Sequence, residues 1–159
     1  MRIYLACTVR GDRGRLTTAR VLADVLERHG QTVLTTHLLA DDVDRAESSL
    51  SERQVYERDI EWLDGCDLLV AEASGSTFGV GFEVGYLLGR SEVTGQRVLL
   101  LYDAARRGQV SRLLVGNSHP NCSTYAYADP EDLVAFVSQY LSRRDERIER
   151  RDPADVLKE

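Results

Sequence analysis

With 159 residues, 43% hydrophobic and 29% charged, the chain has the size and balance of one soluble globular domain that closes its core without disulfides or metals. A formal net charge of −6 argues against general nucleic-acid binding, which rewards clustered positive charge, and no apolar run approaches the ~20 residues of a membrane helix. The start, Arg2-Ile3-Tyr4-Leu5-Ala6, lacks the long apolar segment of a secretory signal, and Cys7, Cys66 and Cys122 form an odd set with no C-x-x-C pair, so a cytoplasmic protein without a metal site is expected.

The first element is a strand over Arg2 to Thr8, running into a turn-rich loop from Val9 to Gly14. Leu16, Ala19, Val21, Leu22, Val25 and Leu26 recur at helical spacing, and Gly30 stands where a helix ends. A strand at about Thr32 to Thr36 and a polar loop from Leu39 to Ser49 follow. Ser51 with Gln54 reads as a capping box opening a helix through Val55, Ile60 and Leu63 to Gly65. The remaining predictions are a buried strand over 67–72, a helix from Gly79 to Arg90, a strand over 97–102, a short helix over 110–115, a strand over 123–127 and a helix over 131–141.

Strands alternating with helices in this way predict an α/β domain, here 1–142, with a doubly wound, mostly parallel five-stranded sheet of Rossmann-like or flavodoxin-like type and helices on both faces. Residues 143–159, dense in both charge signs, read as a charged tail or helix extension. Ligands of such sheets bind beyond the carboxyl ends of the strands, which directs attention to the loops after the first, second and third strands.

The loop after the third strand, Ala73-Ser74-Gly75-Ser76-Thr77-Phe78-Gly79, enters a helix with hydroxyls and glycines at the junction. Free N–H groups at a helix start attract an anion, and glycines let it approach; glycines that merely permit close helix–sheet packing are the alternative. A nicotinamide site is disfavoured, because Gly79-x-Gly81-x-x-x-Gly85 has the wrong spacing and the first loop offers Thr8 and Arg10 in place of glycines. Glu83 falls between Phe82 and Val84, an unusual setting for a carboxylate unless it works or faces water. Asp59 alone reads as solvated surface. Brought to one crevice, the two carboxyl groups suit cleavage of a C1'–N bond: one traps the sugar while the other assists departure of the base.

Three runs together, Tyr4-Leu5-Ala6-Cys7-Thr8-Val9-Arg10-Gly11, Asp59-Ile60-Glu61-Trp62-Leu63 and Gly79-Val80-Gly81-Phe82-Glu83-Val84-Gly85, resemble the 2'-deoxynucleoside 5'-phosphate N-hydrolases, relatives of the nucleoside 2-deoxyribosyltransferases, from about Ile3 to Leu141. The resemblance implies hydrolysis of a (2'-deoxy)nucleoside 5'-monophosphate without a cofactor, by a homodimer with shared active sites. Glu83 is implied as nucleophile, Tyr4 as the phenol that orients it and Asp59 as the acidic partner. Thr8, Arg10, Thr77 and Gly79, with Ser111 of the partner subunit, are implied as phosphate contacts; Cys7, Val9 and His37 are implied around sugar and base. Cys7 and Thr8 replace the family's usual glycine and serine, and Thr77 its serine, so the hydroxyls are kept and a side chain is added at Cys7. Rival readings are a deoxyribosyltransferase, a ribonucleotide-specific glycosidase acting on a pyrimidine monophosphate, and a nucleotide sensor that does not cleave.

Overall fold

The computed structural model describes residues 1–8, 16–40, 48–75 and 78–149, with side chains as far as Arg143. Strands β1 (Arg2–Ala6), β2 (Thr32–Val33), β3 (Leu68–Glu72), β4 (Arg97–Asp103) and β5 (Cys122–Tyr127) form one sheet in the order β2-β1-β3-β4-β5. Every pairing between neighbours is parallel. The helices are α1 (Leu16–Arg28), α2 (Glu52–Gly65), α3 (Phe78–Leu88), α4 (Ser91–Thr94), α5 (Arg112–Val115) and α6 (Pro130–Glu149).

Because successive strand residues point to opposite faces, each central strand feeds two cores. Ile3, Leu5, Leu68, Val70, Leu99 and Leu101 meet Leu22 and Leu26 of α1 and Leu133, Val137 and Leu141 of α6. Tyr4, Ala6, Leu69, Ala71, Val98 and Leu100 turn the other way, onto Leu63 of α2 and Val80, Val84 and Leu87 of α3. Alternation therefore decides that Tyr4, paired in register with Leu69, points at the α2/α3 face. The interiors of these three strands are apolar because both faces are covered.

Local chemistry explains where several elements start and stop. Ser51 Oγ accepts from the Gln54 backbone N–H at 3.3 Å while Gln54 Oε1 accepts from the Ser51 N–H at 2.9 Å, which completes the capping box read from the sequence. At the other end of α2, Gln96 Nε2 donates to the carbonyls of Leu63 and Cys66 at 2.7 and 2.8 Å, satisfying acceptors that a helix end leaves open.

Strand β2 is shorter than predicted. Backbone pairing ends when Leu34 N–H donates to Ile3 at 2.9 Å, and the buried Thr35 hydroxyl then takes over both bonds of Leu5, accepting from its N–H at 3.1 Å and donating to its carbonyl at 2.7 Å. Freed from the ladder, the chain turns into a 3-10 segment, Thr36–Leu39, so His37 lies in that turn and not at a strand end. Helix α6 runs past Leu141 to Glu149, so the chain takes the helix-extension alternative as far as that residue, and α4 was not predicted at all.

Candidate active site

In a sheet ordered β2-β1-β3-β4-β5 the chain moves outward from β1 to β2 and then returns past β1 to β3. The crevice beyond the carboxyl ends of β1 and β3 is where the order reverses and where ligands settle in such folds. Tyr4, fully buried in β1, donates its hydroxyl to Glu83 Oε1 at 2.8 Å across this crevice. Leaving that hydroxyl buried without a partner would cost roughly 1–3 kcal/mol, so the bond fixes both side chains.

Helix α3 explains why Glu83 can sit in an apolar stretch. Val80, Val84, Leu87 and Leu88 form its buried stripe. At about 100° per residue Glu83 flanks that stripe, while Phe78 and Phe82 fall on the far side. They are exposed by 100% and 52%, whereas Glu83 is half-buried at the edge of the core.

Burial pushes the Glu83 carboxyl up to about 7; the Tyr4 hydrogen bond opposes this and the negative Asp59 adds to it. The Tyr4 phenol is also pushed up, first by burial and then by the charges of Glu83 and Asp59, so it remains a protonated donor. Structure thus brings Tyr4, Glu83 and Asp59 together from β1, α3 and α2.

Two residues of α2 that sequence reasoning did not single out join them. Arg58 Nε donates to Asp59 Oδ1 at 2.9 Å, and its guanidinium lies 4.9 Å from the Trp62 ring centre. Trp62 in turn meets the His37 ring at 5.2 Å, tilted by 56°. The i, i+4 spacing of Arg58 and Trp62 on a helix that also carries Asp59 was the available signal. Cys7 packs with Ala19 and Leu38, on the α1 side, next to the turn that carries His37.

Thr8 is buried beyond the end of β1, and among the described residues its Oγ1 finds no hydrogen-bond partner. Gly79 is exposed in the first turn of α3, where backbone N–H groups lack helical acceptors, and a Cβ there would meet nothing within 4 Å. Ser111 precedes α5, its carbonyl accepting from Leu114 and Val115, both at 3.0 Å. Val9, Arg10 and Thr77 lie outside the described residues. Among the described residues no group of three His, Cys, Asp or Glu side chains could hold a metal, and no helix is long and apolar enough to cross a membrane.

Comparison with known proteins identifies the family of the chain. The sequence profile of the Nucleoside 2-deoxyribosyltransferase family matches residues 3–118. A Thermofilum pendens protein, provisionally named 2'-deoxynucleoside 5'-phosphate N-hydrolase 1, is 40% identical over 89% of this chain and 95% of its own length. The 5-hydroxymethyl-dUMP N-hydrolase of Danio rerio is 30% identical over 74% of this chain and 80% of its own. In fold, the chain is similar to the CMP N-glycosidase of Clostridium botulinum, with a TM-score of 0.65 at 18% identity, covering 88% of this chain and 99% of that one.

Proposed function

Because the chain belongs to the nucleoside 2-deoxyribosyltransferase family, we propose that it hydrolyses the N-glycosidic bond of a nucleoside 5'-monophosphate, with 2'-deoxyribose the expected sugar. The single observation that carries this reading is the Tyr4–Glu83 hydrogen bond at 2.8 Å, with Asp59 close enough to influence both groups. A binding module has no need of a half-buried carboxylate held in line by a buried phenol.

In the proposed double displacement Tyr4 occupies one oxygen of Glu83, and the other attacks C1'. The C1'–N electron pair leaves with the base, which takes the proton of Asp59, protonated on entering this step and left as the carboxylate. Water then attacks C1', gives its proton to Asp59, and frees Glu83 together with the sugar 5-phosphate. Arg58, bonded to Asp59, suits this second step because it favours the carboxylate form that accepts a proton. His37 and Trp62 offer ring surface for the base.

The phosphate is placed over Thr8 and the start of α3. A phosphoryl oxygen there would satisfy the Thr8 hydroxyl and the open N–H groups around Gly79. Arg10 and Thr77 enter this grip by resemblance. A homodimer completes the proposal: Tyr56, Phe82 and Tyr86 form a run of ring contacts at 6.4 and 6.1 Å on the exposed side of α2 and α3, beside Glu83, which a second copy would cover while Ser111 of the partner subunit reaches the phosphate.

Incubation with a panel of ribo- and deoxyribonucleoside monophosphates, 5-hydroxymethyl-dUMP among them, and with the matching nucleosides, tests the reaction by chromatography of free base. Release from monophosphates alone, without an acceptor base, is expected. Release that requires an acceptor base would make the protein a transferase, and binding without turnover would make it a sensor.

A further inference from the structure

His37 rides on the single 3-10 turn Thr36–Leu39, and a lone turn of this kind has too few bonds of its own to keep one shape. Leu38 N–H donates to the Thr35 carbonyl at 3.0 Å and Ala40 N–H to that of His37 at 3.2 Å; what fixes the turn in space lies outside it. At its entry the Thr35 side chain, 1% exposed, is bonded twice to Leu5 of β1, once as donor and once as acceptor. At its exit Arg20 of α1 donates from Nε and Nη2 to the Leu39 carbonyl at 2.9 and 2.7 Å. Between these two points Leu38 is buried against Cys7 and Ala19.

Successive side chains of a 3-10 turn point about 120° apart, so burying Leu38 on the α1 side turns His37 away from it. Its ring meets Trp62 of α2 instead, at 5.2 Å. Trp62 is held from its own side by the Arg58 guanidinium, which is bonded in turn to Asp59. Two half-buried rings, tilted by 56°, are thus fixed from opposite sides of the crevice, one by α2 and one by the anchored turn. Arg20 is an exposed side chain, and a surface guanidinium adds little to stability, so spending two donors on one carbonyl points to placement of the turn.

We propose that Thr35 and Arg20 are positioning residues for recognition of the base. By anchoring the Thr36–Leu39 turn to β1 and α1 they hold the His37 ring against Trp62, a role that rests on the reading of these two rings as the surface for the base. Tyr4, Glu83 and Asp59 are held by contacts of their own, so loosening the turn weakens the grip on the base and leaves that on the sugar phosphate as it was.

Thr35→Val keeps the side-chain shape and removes both bonds to Leu5; Arg20→Gln, at an exposed position, is the second variant and does not threaten folding. In both, kcat/KM for the monophosphates falls about tenfold, the scale of one well-placed aromatic contact. The dissociation constant for 2-deoxyribose 5-phosphate, which has no base, changes by less than about twofold in calorimetry on the full chain, as expected of a separate subsite. Trp62 is the single tryptophan of the chain, so its fluorescence reads the turn directly, and acrylamide quenching rises in both variants as His37 leaves the ring. A merely structural role would weaken nucleotide and sugar phosphate alike, or lower the melting temperature alone. Either result overturns the proposal, as does unchanged quenching. If the wild-type chain releases no base from any monophosphate, the reading of the reaction fails, and the positioning role is judged on quenching and on the ratio of the affinities for monophosphate and sugar phosphate. Equal ratios in wild type and variants, or no binding of either ligand, then overturn it.

Discussion

Glu72 and Glu83 stand near the same end of the sheet under opposite conditions. Glu72, at the end of β3, is sealed in and receives the Ser74 and Tyr127 hydroxyls and the Ser74 backbone N–H, and Ser74 Oγ accepts from the Asp103 N–H, so its bonding goes into holding β3, β4 and β5 together. Glu83 is half-buried, receives one phenol, and faces another acidic group in Asp59. The difference teaches that three donors converging on one oxygen make a carboxylate structural, whereas burial with a single donor leaves it reactive. Residue type and nearness to one end of the sheet are shared; burial and partners separate the two roles.

The comparison breaks most visibly at the nucleophile. Glu83→Gln should lower kcat by ~10⁴-fold or more, the scale seen when a covalent catalyst loses its nucleophile, with nucleotide affinity by calorimetry nearly unchanged. Full activity in this variant would remove Glu83 from the reaction. Asp59→Asn should cost ~10²–10⁴-fold, the range for losing general acid–base help. Because release of the ester needs a base, the intact mass of this variant after mixing with substrate should carry a sugar-phosphate adduct on Glu83, and the absence of any adduct under rapid quench would argue against the covalent route.

A smaller effect follows from Tyr4. Glu83 attacks as the carboxylate, so kcat/KM should fall as pH drops through about 7. The Tyr4 hydrogen bond pulls that carboxyl down, so Tyr4→Phe should move the acid limb to higher pH and cost roughly tenfold in rate at pH 7. An unmoved limb would mean that another group sets the profile.

The smallest expected effect, on stability, sharpens the contrast. Raised above its ordinary value of 4.5, the Glu83 carboxyl binds its proton more tightly folded than unfolded, so its contribution to stability declines as pH rises from about 4.5 to about 7. Thermal melts at pH 8 should therefore show Glu83→Gln stabilised by ~1–2 kcal/mol, with the gain gone near pH 4. Glu72→Gln at pH 8 should be destabilised instead, by ~1–3 kcal/mol, because it disturbs a buried acceptor that holds three donors. Two variants of the same sign would erase the distinction between the glutamates.

Much of this was legible in the chain order of residues. The capping box at Ser51 and Gln54, the apolar runs of β1, β3 and β4 and the helical stripe of α1 depend on near neighbours, and each element lies where the patterns put it, to within a few residues. Strand β2 was overestimated because Thr35 replaces the ladder with its side chain, a substitution visible only once Leu5 is alongside. Glu72 and Tyr127 passed as ordinary strand residues for the same reason: their bond joins positions 55 apart. Arg58 and Trp62 were overlooked because a charged, exposed-looking helix hides which of its faces borders a crevice.

By itself the sequence determined the element types, the two-faced sheet and the family resemblance that marked Glu83, Asp59 and Tyr4, since periodicity and short motifs are properties of local chain. Tertiary structure alone decided that a phenol in β1 and a carboxylate in α3, 79 residues apart, meet at 2.8 Å, and that a second glutamate is silenced by donors from other strands. Hydrogen bonding and desolvation act through space, so the reactivity of a side chain is fixed by what folding places against it.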